Sequence, residues 1–331
     1  MIITRDRYTL MQADFRDTLA AVAGQADLVL CSPPYADART YGMNCNWTMA
    51  EYAALGDAVF DALRPGGHAL INVDAPVRKW RRLCDPCGRM TSAEACPRCG
   101  GKTVDGGTER GFHPWQLQAD WAERVGFRVP DRLAFGRQGI PGLYLGRFRN
   151  DWEPLFWFQK PGTDCFVDLH ALARDAPYQK KVGQTQPTAR GWDHGGKGQD
   201  TLKAGWGDGI VTGWCAENGK ALPGTLWDYG ATNNIDRFNK QFTDTGHPAR
   251  WPFKLAEDII RCFCPPDGLV VDPFLGAGTS CAAAIAHGRR FHGGDLGSRQ
   301  FDPAKPHLDA VPWVQVADRV MVERLRQQKL F

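Results

Sequence analysis

Three groups of residues in this sequence have the types and spacing to do chemistry. The first is Ser32-Pro33-Pro34-Tyr35, which ends the apolar run Leu28–Cys31. The run reads as a short buried strand. Two prolines fix φ and lack an N–H, so the ladder stops there. Their carbonyls are expected to stay free and to point beyond the strand's carboxyl end, where open α/β sheets bind ligands. A hydroxyl (Ser32), carbonyls and an aromatic face (Tyr35) together suit a planar ring carrying an exocyclic amine. The plainer reading is a strand-ending turn with Tyr35 packed in the core.

The second group is Asp272-Pro273-Phe274-Leu275-Gly276-Ala277-Gly278-Thr279, after the short strand Leu269–Val271. Gly276 and Gly278 provide a turn that lets backbone approach a ligand, and Thr279 begins a small-residue helix. Asp295 ends the next strand, seventeen residues past Gly278. That is near the spacing of an acid that grips ribose hydroxyls. The pattern is not GxGxxG, so a dinucleotide is not favoured.

The third group is Cys84-x-x-Cys87 and Cys96-x-x-Cys99, two knuckles eight residues apart. Four thiolates so paired suit a structural, tetrahedral Zn²⁺. The segment has few apolar residues to fold it otherwise. Arg78, Lys79, Arg81, Arg82, Arg89 and Arg98 surround it, as phosphate contacts or as a solvated basic face.

The elements that must position these groups follow the rhythm of a parallel sheet. Tyr8–Asp14 reads as a strand ending in an acid, and Asp17–Ala23 as a helix. Thr48–Leu63 is helical by period, with a capping box at Thr48 and Glu51. Arg64–Gly67 breaks it, and His68–Val73 is the next buried strand. After an irregular segment from about 80 to 110, His113–Val125 is a helix, and Arg128–Phe135 and Trp152–Phe158 are strands. From about 160 to 245 the chain is rich in Gly, Trp, Asp, Lys and Asn. A loop-built subdomain is expected there, because Trp192, Trp206, Trp214 and Trp227 are costly to leave in water. Phe253–Phe263 and Ser280–His287 are helices, Arg290–Asp295 is a strand, and Gln315–Gln328 is a final helix.

The totals are compatible with this organisation. At 331 residues and 43% apolar, the chain can bury a sizeable core. A net charge of +3 permits nucleic acid without requiring it. The first residues lack a signal-peptide pattern, and no stretch reaches a membrane span, so a cytoplasmic protein is expected. Eleven cysteines, four of them in knuckles, argue for metal and free thiols over a disulfide framework.

The sequence resembles the bacterial and phage DNA amino-methyltransferases of the β arrangement. In that family a Ser/Asp-Pro-Pro-Tyr precedes an Asp-Pro-Phe-x-Gly-x-Gly-Thr, and both stand here intact, at Ser32–Tyr35 and Asp272–Thr279. Arg39–Gly42, Arg64–Gly67, Trp152-Glu153-Pro154, His247–Pro252 and Gly288–Phe291 support the likeness. The resemblance implies a Rossmann-like methyltransferase fold with a circularly permuted, mostly parallel sheet. Residues 1–160 and 247–331 would form the catalytic domain. A zinc-ribbon-like insertion would occupy 80–110, and a target-recognition region 161–246. S-adenosylmethionine would lie over the turn formed by Asp272, Pro273, Phe274, Gly276, Gly278 and Thr279. His247 and Pro248 would also lie near it, with Asp295 on its ribose and Asp14 on its adenine amine. Without the resemblance, Asp14 reads as an exposed acid at a strand end.

By the same resemblance the partner is double-stranded DNA, and a companion restriction endonuclease fits the family. Ser32, Pro33, Pro34 and Tyr35 would hold a flipped base for direct methyl transfer, and Cys31 is read as a buried strand residue rather than a nucleophile. Ser32 leans the target towards cytosine N4, with adenine N6 as the alternative. Methylation of RNA or of a protein amide, and a silent zinc-ribbon DNA-binding protein, are more distant readings. In the insertion, Lys180, Lys181, Arg190, Lys197, Lys203, Arg237 and Lys240 could meet phosphates. Gln184, Gln186, Asn233 and Asn234 could meet base edges.

Overall fold

The structure, a computed structural model, describes residues 1–35, 47–75, 77–79, 82–88, 90–91, 93–104, 108–138, 151–175, 220–231 and 251–297. Strands β1 (Ile2–Thr4) and β2 (Tyr8–Gln12) lead to helix α1 (Phe15–Ala20) and strand β3 (Ala26–Cys31). Helix α2 (Met49–Ala62) runs directly into β4 (Leu63–Asn72). Short strands β5 (Val77–Lys79), β6 (Arg82–Cys84), β7 (Met90–Thr91), β8 (Thr103–Val104) and β9 (Thr108–Arg110) carry the cysteine segment. Helix α3 (His113–Asp120) continues as a π-helical turn over Trp121–Val125, before β10 (Arg132–Gln138) and β11 (Trp152–Gln159). Strands β12 (Arg174–Asp175), β13 (Lys220–Ala221) and β14 (Leu226–Ala231) follow. Helix α4 (Phe253–Phe263), β15 (Leu269–Asp272), α5 (Thr279–Ala286) and β16 (Arg290–Asp295) complete the described chain.

The main sheet has the order β1-β2-β16-β15-β3-β4-β11-β10-β14. Its centre, β2-β16-β15-β3-β4, is parallel throughout. The two C-terminal strands therefore sit between two N-terminal ones, which is the permuted arrangement the sequence led us to expect. A parallel strand covered on both faces should be apolar throughout. All six residues of β3 are buried. Leu28 and Leu30 face the core built with α4 and α5, while Val29 and Cys31 face the core built with α1 and α2. Helix α4 buries Leu255, Ile259, Ile260 and Phe263 at 0–1% exposure. Each contributes roughly 1.5–3 kcal/mol relative to an exposed side chain.

Local chemistry fixes the ends. Thr48 and Glu51 form the expected capping box of α2. Asp14 does not extend β2; its side chain caps α1 by accepting from the Arg16 N–H. Arg64–Gly67 ends the helix but lies inside β4, where the register with β3 shifts between Ala26 and Leu28. Gly66 has φ +81°, and a Cβ there would lie 2.1 Å from the Asp164 carbonyl. The expected break is thus a bulge that only glycine fits.

Parts of the segment between the catalytic halves belong to the main fold. Strand β14 pairs with β10, and Trp227 is buried. The Phe166 carbonyl lies 3.0 Å from His68 Nε2, and burial pushes that imidazole down to about 3. Trp192, Trp206, Trp214, the named lysines, arginines, glutamines and asparagines of the insertion, and Gln315–Gln328 lie outside the described residues. Among the described residues, no helix is long and apolar enough to cross a membrane.

Candidate active site

Sheet register brings the two predicted corners together. Val271 pairs with Val29, so Asp272 lies level with Leu30. Ser32 begins two residues further, about 7 Å along the strand. Cys31 pairs with Ile71, which sets Asn72 beside Ser32. Leu155 pairs with Asn72 from the antiparallel β11, so Glu153 also reaches the same edge. All of these positions lie at the carboxyl ends of the parallel strands.

An aromatic bridge joins the corners. Phe274 of the glycine turn packs edge-on against Trp47, with ring centroids 5.3 Å apart. Trp47 packs on Tyr52 at 5.2 Å. The Tyr52 hydroxyl donates to the Pro34 carbonyl at 2.8 Å. The expectation that both prolyl carbonyls stay free therefore needs correcting for Pro34. α2 reaches over the turn and takes that acceptor, which holds the turn in place.

Tyr35 is half-buried against the α1–α2 core, and its phenol is held at its tip. The hydroxyl lies 3.2 Å from Asn72 Oδ1, 3.1 Å from Glu153 Oε2 and 3.4 Å from Ser32 Oγ. Asn72 is oriented in turn: its amide donates to the Pro154 carbonyl at 2.9 Å, and its Oδ1 accepts from the Trp251 indole at 3.1 Å. Asn72 and Glu153 are 1% and 5% exposed. Cys31 is fully buried, and burial, then the Asp272 carboxylate, push its thiol well above the usual range. A neutral buried thiol is a poor nucleophile.

The glycine turn is built around two acids. Asp272 Oδ1 accepts from the Phe274 N–H at 2.9 Å, and Oδ2 from the Ser280 hydroxyl at 2.5 Å. Burial raises Asp272 to about 7, against those two hydrogen bonds. Asp295 Oδ2 accepts from the Gly276 N–H at 2.9 Å, and Oδ1 from the Gly297 N–H at 2.7 Å. Gly276 and Gly278 have φ of +51° and +81°, the left-handed region that favours glycine. A turn opened by two glycines, two acids and a flanking aromatic suit a cation carrying a ribose diol and a planar base. Asp14 stands apart: its Oδ1 takes the Arg16 N–H at 3.0 Å and the Arg16 guanidinium at 3.1 Å. His247 and Pro248 lie outside the described residues, as do Arg39–Gly42. Trp251 and Pro252 are described, and Trp251 meets the site through Asn72.

Cys84, Cys87, Cys96 and Cys99 converge, with all four sulfurs within 4.8 Å of one another. Cys84 and Cys99 are 3.4 Å apart, Cys87 and Cys96 3.7 Å. A tetrahedron with Zn–S near 2.3 Å has edges of about 3.8 Å, so the set fits the ion. The backbone amides of Arg98 and Cys99 pull Cys96 down to about 6, while burial pushes Cys84 up. The strands β6, β7 and β8 form the small sheet that presents them.

Sequence reasoning passed over Tyr52, Asn72 and Trp47 as functional positions. Tyr52 read as an apolar helix position, and Asn72 as the end of a buried strand. The signal for Asn72 was its polarity at the tip of an apolar run.

The fold and both corners define a Rossmann-like, S-adenosylmethionine-dependent methyltransferase architecture with permuted strand order. The family model of the N6/N4 methyltransferases, described as DNA methylase, matches residues 26–306, and the chain belongs to that family. The solved PvuII DNA methyltransferase (cytosine-N4-specific) shares the fold at TM-score 0.56 and 16% identity, over 98% of this chain and 93% of that one. The M1.HpyAVI–SAM complex does so at TM-score 0.50 and 16% identity, over 91% and 99%. Among curated relatives, the DNA adenine methyltransferase YhdJ of Escherichia coli (strain K12) is 28% identical over 114 residues, 34% of this chain and 37% of YhdJ. Across six of the curated relatives it matches, the chain spans 22–37% of their length.

Proposed function

We propose that this chain methylates the exocyclic N4 of cytosine in double-stranded DNA, with S-adenosylmethionine as donor. The observation that carries this reading is the pairing of a Ser-headed prolyl turn with the two-acid glycine turn on adjacent parallel strands. Asp272, Phe274, Gly276, Gly278, Thr279 and Asp295 would hold the donor, with Pro273 shaping the turn and Asp14, His247 and Pro248 at its margins. When bound, S-adenosylmethionine supplies an activated methyl group.

The target base leaves the stack at a cost of a few kcal/mol. Stacking on the Tyr35 ring recovers about 1–3 kcal/mol of it. Ser32 Oγ and the Pro33 carbonyl accept the amine's hydrogens, which aims the nitrogen lone pair at the methyl carbon. Alignment then supplies most of the catalysis. Residues 80–110 and 161–246 would approach the DNA outside this cleft, the first ordered by Zn²⁺. The likeness to YhdJ favours adenine N6 as a second reading.

The test is methylation of DNA by the purified chain, with the product digested to nucleosides and weighed. N4-methylcytosine is expected. N6-methyladenine would replace the base assignment. Wild-type rates in both Ser32→Ala and Tyr35→Ala would remove the proposed roles.

A further inference from the structure

Methylating a neutral amine leaves one proton to be disposed of, and the described site places a buried carboxylate two oxygens away. Ser32 Oγ, Tyr35 OH and Glu153 Oε2 form a chain with steps of 3.4 and 3.1 Å. At 3.4 Å the first step is loose, as catalytic hydrogen bonds are before substrate tightens them. Asn72 Oδ1 lies on the same phenol at 3.2 Å. Its orientation is fixed, because the Pro154 carbonyl takes its amide and the Trp251 indole donates to the oxygen.

Three described contacts converge on the phenol oxygen, and its single O–H can donate to the Glu153 carboxylate or to Asn72 Oδ1.

We propose that Glu153 is the destination of the proton released from the target amine, reached through Ser32 and Tyr35. This rests on the reading of the site as an amine methyltransferase. The nitrogen–carbon bond forms as the carbon–sulfur bond breaks, and that electron pair stays on sulfur. The nitrogen–hydrogen bond breaks with its pair returned to nitrogen. Its proton passes to Ser32 Oγ, the Ser32 proton to the Tyr35 oxygen, and the Tyr35 proton to Glu153. Glu153 touches neither base nor donor; it acts through Tyr35. The role also gives the Tyr35 hydroxyl a purpose that stacking alone does not need.

The test uses the full chain and the variants Glu153→Gln and Tyr35→Phe. Glutamine presents an amide donor to the phenol, so it mimics the proton-loaded state. With tyrosine labelled at ¹³Cζ, the Tyr35 resonance is identified by its absence in Tyr35→Phe. It is expected to move in Glu153→Gln, without donor or DNA present. Single-turnover methylation is expected to fall about 10²-fold in each variant, and no further in the double variant. Donor affinity should be unchanged in both. An unmoved Tyr35 resonance, or a Glu153→Gln rate within threefold of wild type, overturns the relay and leaves the methyltransferase reading standing. A wild-type chain that methylates no DNA overturns both. Should Glu153→Gln not fold, Tyr35→Phe carries the same expectation, and a wild-type rate there overturns it.

Discussion

Replacing Asp272 by Asn should stabilise this protein at neutral and alkaline pH while weakening its hold on the donor. Asp272 is 6% exposed, and its carboxyl is raised from 3.8 to about 7, chiefly by burial. A raised acid binds its proton more tightly folded than unfolded. Its contribution to stability is therefore full below about pH 4 and is lost as the pH climbs to about 7. The shift of roughly 3 units corresponds to about 4 kcal/mol at most. Asn keeps an oxygen for the Phe274 N–H, and its amide can donate to a turned Ser280 hydroxyl. It removes the buried charge and little else. At about 2 °C per kcal/mol for a chain of this size, the variant should melt roughly 4–8 °C above wild type at pH 8. The gap should shrink towards zero near pH 4. Differential scanning calorimetry of both proteins across that range measures it. A variant no more stable than wild type at pH 8, or a gap that does not depend on pH, refutes the reasoning. A calorimetric titration with S-adenosylmethionine should show weaker binding by the variant, because in the proposed site the turn would lose a negative charge beside a cation.

Two further outcomes follow from the same structure. Purified protein should carry one zinc per chain. A structural site of this kind supplies about 10–16 kcal/mol, so chelation or Cys96→Ser should expose residues 82–104 to limited proteolysis; protein free of metal yet resistant there would refute the site. Gly66→Ala should cost at least about 3 kcal/mol in urea unfolding, because strain at positive φ adds to the clash with the Asp164 carbonyl. Gly24→Ala, also at positive φ but with nothing within 4 Å, should cost only about 1 kcal/mol; equal costs would show that the contact with Asp164 is unimportant.

Periodicity and punctuation made much of the fold legible. The buried β3, the capped α2 and the amphipathic α4 are local patterns, and local backbone chemistry decides them. The cysteine knuckles were legible for the same reason: four ligands within sixteen residues can meet without help from the rest of the chain. The glycine turn declared itself because few residues other than glycine enter its left-handed conformations.

What sequence could not decide was how groups far apart in the chain are aimed. Tyr35, Asn72, Glu153 and Trp251 are spread over more than two hundred residues. They meet because two parallel strands, an antiparallel one and a helix-leading segment end at one edge of the sheet. The Pro34 carbonyl looked free because its partner, Tyr52, lies eighteen residues further on in a helix, beyond the reach of any local rule. The position of Asp14 turned on a competition between extending a strand and capping a helix, and the helix's unpaired N–H groups won. Sequence alone set which chemical groups are present and the elements that carry them. Tertiary packing set their hydrogen-bond partners, because side-chain direction and burial come from the sheet register that joins remote segments.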